Sequence, residues 1–233
     1  MTDLTLTVIQ TLTAFFSFLT CLILSYLVLR KDYKFLLNRL FAAAILMMGM
    51  STLFLVLSNI PVLLWQGDGP FFLLQGSYQS VVIALYLFNL AALYLMYGQE
   101  GLYSLKTRIY LIAGNALCSY VIWLTNPFSR VALGDVVSTT LFKVTVFGFL
   151  IISYSFTLVL FLLVYKGVEE EVKRKMQIFI SGWLIGGLAM ASLGLGDFFR
   201  ILDMVGQVLL SIGVIVIYVS FSPQLARRVK ETE

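Results

Sequence analysis

The chain contains no histidine. That single absence excludes histidine-ligated haem, histidine-rich di-iron sites, H-E-x-x-H zinc proteases and Ser–His dyads together. Cysteine is nearly absent too. Cys21 and Cys118 each lie near the middle of an apolar run, where a thiol is expected to serve as a small packing residue and not in a disulfide. Charge is scarce: Asp, Glu, Lys and Arg make up 12% of the residues, where a soluble domain carries about a quarter. No polar stretch is long enough for a separate soluble domain. The residues before the first apolar run include Asp3 and no basic residue, so a cleaved signal peptide, which needs a positive start, is not expected.

What the chain has is apolar length. It is 60% hydrophobic with a mean hydropathy of +0.96. A spanning helix needs roughly 20 apolar residues, and seven runs qualify as expectations: 4–29, 40–60, 71–97, 109–124, 139–165, 176–196 and 201–221. Pro61 is expected to stop the second, Gly98 and Gly101 to break the third, and Asn126-Pro127 to follow the fourth. The fourth is the shortest. Helix is the expected state, because hydrocarbon forces every backbone polar group to be satisfied internally and the runs exceed barrel-strand length. The expected fold is therefore all-α: a polytopic, seven-transmembrane helix bundle forming one domain over residues 1–233.

The sixteen Lys and Arg residues are distributed unevenly. Arg30, Lys31, Lys34, Arg39, Lys106, Arg108, Lys166, Lys173, Arg174, Lys175, Arg227, Arg228 and Lys230 fall on one side of the seven-pass reading. Arg130, Lys143 and Arg200 remain. Short loops biased this way predict an outside N-terminus and a cytoplasmic C-terminus in a multi-pass protein of the cell membrane. The net charge of +4 then belongs to cations facing lipid headgroups, and nucleic acid is not an expected partner. Trp65, Trp123 and Tyr78 are expected near the outer face, with Tyr33, Tyr97, Tyr103, Tyr110 and Tyr165 near the inner one.

One stretch invites a catalytic reading. Gly194-Leu195-Gly196-Asp197 resembles the G-x-G-D motif of presenilin-type intramembrane aspartic proteases and prepilin peptidases. Those enzymes need two aspartates close together, one as base and one as acid. The nearest equivalent, Asp32, falls on the cytoplasmic side and Asp197 on the outer side, about 30 Å of hydrocarbon apart. An enzyme is not expected, nor a cofactor or a metal. A retinal Schiff base is excluded as well, since the seventh run contains no lysine.

The remaining candidates are binding and packing residues. Lys143 stands inside the fifth run, about 7 Å deep at 1.5 Å per residue. It must snorkel to the headgroups or find a partner. In the second case it marks the mouth of an outward-facing site, with Asp197, Asp203 or Asp68 opposite and Arg200 within reach of both Asp197 and Asp203. Gly182, Gly186, Gly187, Ala191, Ser192 and Gly196 repeat a four-residue spacing that lets helix backbones approach closely, within the bundle or across a dimer. Asn89 and Asn115 are expected to form interhelical hydrogen bonds. Glu169–Lys173, Glu170–Arg174 and Glu171–Lys175 are favourable i,i+4 pairs on a cytoplasmic extension of the sixth helix.

Three segments carry a family resemblance: Asn38-Arg39-Leu40-Phe41, Lys173-Arg174-Lys175-Met176-Gln177, and Pro223 with Arg227-Arg228. The arrangement resembles the N-terminal seven-helix sensory region of archaeal and bacterial histidine kinases. The resemblance implies a receptor-like sensor in signal transduction, with signalling passed through cytoplasmic loops and tail to a separate partner, since no dimerisation helix or ATP-binding domain follows. Membrane lipids are the other expected partner, and a homodimer is compatible. A small permease and an accessory subunit of a membrane complex are the alternative expectations.

Overall fold

The computed structural model describes residues 3–65, 70–103, 105–132, 135–194 and 200–220. Among the described residues there are seven helices: α1 Asp3–Lys31, α2 Leu36–Trp65, α3 Phe71–Tyr103, α4 Leu105–Leu124, α5 Thr140–Gly167, α6 Glu170–Gly194 and α7 Arg200–Ser220. Six contain stretches long and apolar enough to cross a membrane. In α4 the corresponding stretch, Arg108–Leu124, is shorter.

Burial follows the rule expected in lipid. Ser17, Thr52, Asn89, Thr157 and Gln207 are almost completely enclosed, while Phe16, Ile152, Leu188 and Val219 each expose more than half of their surface. A water-soluble protein arranges these classes the other way. With six such helices, the protein is a helical, multi-pass membrane protein.

Several boundaries differ from the sequence reading. Pro61 does not stop α2, which continues to Trp65. A proline removes one i→i−4 hydrogen bond, and membrane helices tolerate that loss because neighbouring groups re-satisfy the freed carbonyl. Gly98 does break α3: its φ of 62° and ψ of −149° are open to glycine, but the chain is helical again to Tyr103. At the end of α4, Asn126 takes a φ of 46°, a left-handed conformation that asparagine tolerates. α6 begins at Glu170, so its charged turns do extend the apolar part. There Lys173 pairs with Glu170 at 2.5 Å, three residues back, where Glu169 was expected. Two features were not anticipated. An antiparallel hairpin, β1 Phe128–Ala132 with β2 Asp135–Ser138, links α4 to α5. A π turn, Lys143–Phe147, interrupts α5.

The helices close into a ring in the order α1, α2, α3, α5, α6, α7, with α4 outside it against α3 and the π turn. Five aromatic side chains from four helices fill the ring's centre edge to face. Phe41 lies 5.8 Å from Phe88 and 5.6 Å from Phe179, Phe88 lies 4.8 Å from Trp183, and Phe161 lies 4.7 Å from Phe179 and 5.4 Å from Trp183. The contacts form a closed circuit, each ring presenting an edge to the next ring's face. Cys21 and Cys118 are free and buried, and Cys21 packs where Gly49 leaves room for it.

α6 and α7 make the closest backbone approach. A Cβ built at Gly213 would meet Gly182 O at 3.0 Å and Gly186 N at 3.1 Å. One built at Gly182 would meet the Ile217 backbone N at 2.9 Å. Both helices must therefore stay bare at this crossing. Gly213→Leu should lower stability by about 1–3 kcal/mol, the usual range for overpacking. Gly148→Ala, where a built Cβ meets nothing within 4 Å, should be neutral or stabilising. Denaturant titration of the two variants in mild detergent measures the contrast.

Candidate functional site

The N-terminal end of α7 carries two of the charged residues singled out in the sequence. Arg200 opens the helix and Asp203 lies in its first turn, where a carboxylate is favoured by the helix dipole. Gln10 Nε2 donates to Asp203 Oδ2 at 3.1 Å, joining α7 to α1. Beside it, Asn59 Nδ2 donates to Thr11 Oγ1 at 3.1 Å, and the Thr11 hydroxyl donates to Thr7 O at 2.7 Å. Polar groups from α1, α2 and α7 thus meet at one end of the bundle.

This junction begins a polar seam between α1 and α7. Further along, the Ser17 hydroxyl lies 2.9 Å from both Gln207 O and Ser211 Oγ. At the other end, Lys31 Nζ sits 4.4 Å from the centroid of the Tyr218 ring, a cation–π distance. Gln10, Ser17 and Lys31 are spaced by seven and fourteen residues, so they repeat along one face of α1. On α7, Asp203, Ser211 and Tyr218 follow at steps of eight and seven. That recurrence of polar residues on one face of α1 is the signal the sequence reading passed over, since single Ser and Gln residues in apolar runs attract little notice. Gln207 itself is 1% exposed, and its Oε1 is buried without a hydrogen-bond partner.

Lys143 lies elsewhere in the ring. It is half-buried at the start of the π turn in α5, and α6 stands between α5 and α7. Above the π turn, Phe142 lies 4.8 Å from Tyr78 and 5.0 Å from Phe128. Tyr78 is therefore part of an aromatic cluster and not an isolated belt residue. Asp68 and Asp197, the other proposed partners of Lys143, lie outside the described residues, as does Gly196. The Arg200 side chain is likewise outside them.

The two asparagines divide. Asn89 is fully buried, donates to Leu85 O at 2.9 Å and accepts from Thr157 Oγ1 at 2.8 Å, linking α3 to α5 as expected. Asn115 does not act between helices. Its Nδ2 donates at 2.7 Å to Leu111 O, one turn back in its own helix.

The small residues of α6 also divide. Gly182 faces α7, and the Gly186 backbone lies against Gly213, although a Cβ built at Gly186 itself meets nothing within 4 Å. Gly187 makes room for Tyr154, whose ring stacks on Trp183 at 4.9 Å and whose hydroxyl donates to Trp183 O. Ala191 is exposed and Ser192 half-buried. The glycine spacing in α6 was legible. Its counterparts Gly206 and Gly213 were not, being seven residues apart and without a four-residue repeat.

Among the described residues, no group of three or more His, Cys, Asp or Glu side chains is arranged to hold a metal ion. Comparison with protein-family models, with curated proteins and with solved structures finds no match. A double-mutant cycle on Asn89→Leu and Thr157→Val should give a coupling energy of about 0.6–1.7 kcal/mol, the range for interhelical hydrogen bonds in membranes. The same cycle on Asn115→Leu and Thr157→Val should give none.

Proposed function

We propose that the protein is a seven-span sensor module of the cell membrane, outside at its N-terminus and cytoplasmic at its C-terminus. It binds a small polar or anionic ligand near its outer face and passes the change inward along α1 and α7. The observation that carries this reading is the polar seam. Its outer end is Gln10 on Asp203, and its inner end is Lys31 on Tyr218. A ligand that competes for Asp203, or neutralises Arg200, loosens one end of a row of three polar contacts whose other end lies among the basic residues. Lys143, Asp68 and Asp197 remain the further ligand candidates. A separate cytoplasmic partner, reached through the basic loops and the tail, completes the signalling route.

The closed aromatic circuit at the bundle's centre favours a sensor over a permease, because no polar path passes through five rings in mutual contact. An accessory-subunit role drew on the small-residue face of α6, and Gly182 on that face is occupied by α7 within the chain.

Two measurements test the reading. Spin labels at Leu29 and Val219, both exposed, report the inner end of the seam. Asp203→Ala should change their separation by about 1–2 Å, the size of a signalling helix shift. An unchanged distance distribution in Asp203→Ala and Gln10→Ala sinks the transmission route. Topology is tested with single cysteines in a Cys21→Ala, Cys118→Ala background. Ser129→Cys should react with an impermeant maleimide in whole cells, and Lys34→Cys only after the membrane is opened.

A further inference from the structure

α5 is held by two separate anchors with the π turn between them. On the outer side, the Phe142 backbone N–H donates to Thr139 Oγ1 at 3.3 Å, the Thr139 N–H donates to Pro127 O at 2.8 Å, and Phe142 packs on Tyr78 and Phe128. On the inner side, Thr157 donates to Asn89 at 2.8 Å and Phe161 joins the central circuit. A π turn accommodates one residue more than an α turn does. Relative to a straight α-helix, the outer end of α5 is therefore rotated by about 100° and moved about 1.5 Å along the axis.

The rotation acts chiefly on Lys143. In a straight helix, residues eighteen apart lie on one line, after about five turns. Lys143 and Phe161 have that separation, and Phe161 is 0% exposed in the centre of the ring. A straight α5 would aim the lysine inward, where burying an ammonium is costly. The π turn swings it off that line. The same arithmetic puts Phe142 over Leu160, a buried residue, so a straight helix would still bury an apolar side chain at the outer turn. The straight register recovers regular i→i−4 hydrogen bonding but gives up the present aromatic contacts. The π register keeps those contacts and keeps the ammonium off the central line. The stretch around the turn also has room to move: Val144 is 70% exposed, and a Cβ built on Gly148 meets nothing within 4 Å.

We propose that this π turn is a rotary switch. In the π form Lys143 is turned off the central line of α5, and in the α form the outer turn rotates to bring Lys143 onto it. This rests on the geometry of α5 and not on the sensor reading, and either can fail without the other.

The test uses the full chain in lipid nanodiscs with Cys21 and Cys118 replaced by alanine. Spin labels go at Leu141, on the outer turn, and at Leu188, exposed on α6. A rotation of about 100° displaces a point on the helix surface by on the order of 8 Å, given a helix about 10 Å across. Lys143→Leu removes the ammonium that disfavours the α form, so it should add or enlarge a second distance displaced by that amount. Deleting Val144 removes the additional residue, so it should leave the present distance alone and single. One unshifted distance in both the parent and Lys143→Leu overturns the proposal, even if the deletion variant does not fold. A folded deletion variant that loses the present distance overturns it too.

Discussion

Hydrocarbon offers no hydrogen bonds, and everything else in this protein follows from that. Polar groups along the apolar helices are driven to partners on their own helix or on a neighbour, and among the described residues Asn38 Oδ1, Trp183 Nε1 and Gln207 Oε1 are the buried side-chain atoms left without one. Thr11, Ser119 and Thr125 bond carbonyls one turn back. Ser25 reaches Ala42 O on α2, Ser51 meets Ser77 on α3, and Gln75 reaches Ile122 O on α4. The interhelical bonds fix which helix lies beside which. Apolar packing cannot do this in lipid, because a leucine gains little by exchanging an acyl chain for another leucine. The inside-out burial pattern is the same constraint seen from the surface.

Where polar partners are lacking, close contact takes over. The α6–α7 crossing carries glycine on both helices, so dispersion and backbone proximity replace side-chain bonding. The α1–α7 interface instead carries polar contacts at three levels, at Gln10, Ser17 and Lys31 of α1. α7 therefore has one tightly packed neighbour and one joined by individually weak polar contacts. A helix held in this way has a preferred direction of release, away from α1, and Asp203 lies at the end of that interface where Gln10 meets it. Across the ring, α5 solves a different problem. Its anchors and its lysine make conflicting demands on one straight spiral, and the π turn reconciles them.

Much of the architecture was legible. Seven apolar runs became seven helices, the break at Gly98 and the charged extension of α6 were readable, and Asn89 bonds across to another helix. These are local matters of length, residue type and burial cost. Pro61 was misread because a proline ends a helix in water more readily than in a bundle, where neighbours satisfy the freed carbonyl. The hairpin was missed because its strands, Phe128–Ala132 and Asp135–Ser138, are too short to show a convincing alternation. Asn115 was misjudged because an amide in a helix can bond backward as easily as sideways, and the choice depends on what stands next to it.

Composition and run length suffice for a helical membrane protein, because the energetic demand of hydrocarbon acts on each segment separately. The scarcity of charge, the absence of histidine and the spread of basic residues bear on function by exclusion. Pairing is another matter. That Gln10 meets Asp203, that Gly213 receives Gly182, and that α6 stands between Lys143 and Asp203 depend on the order of helices around the ring. That order is set by contacts between residues up to 194 positions apart. No local pattern encodes such a contact, because each member is satisfied by its partner's position in space and not by its neighbours in the chain.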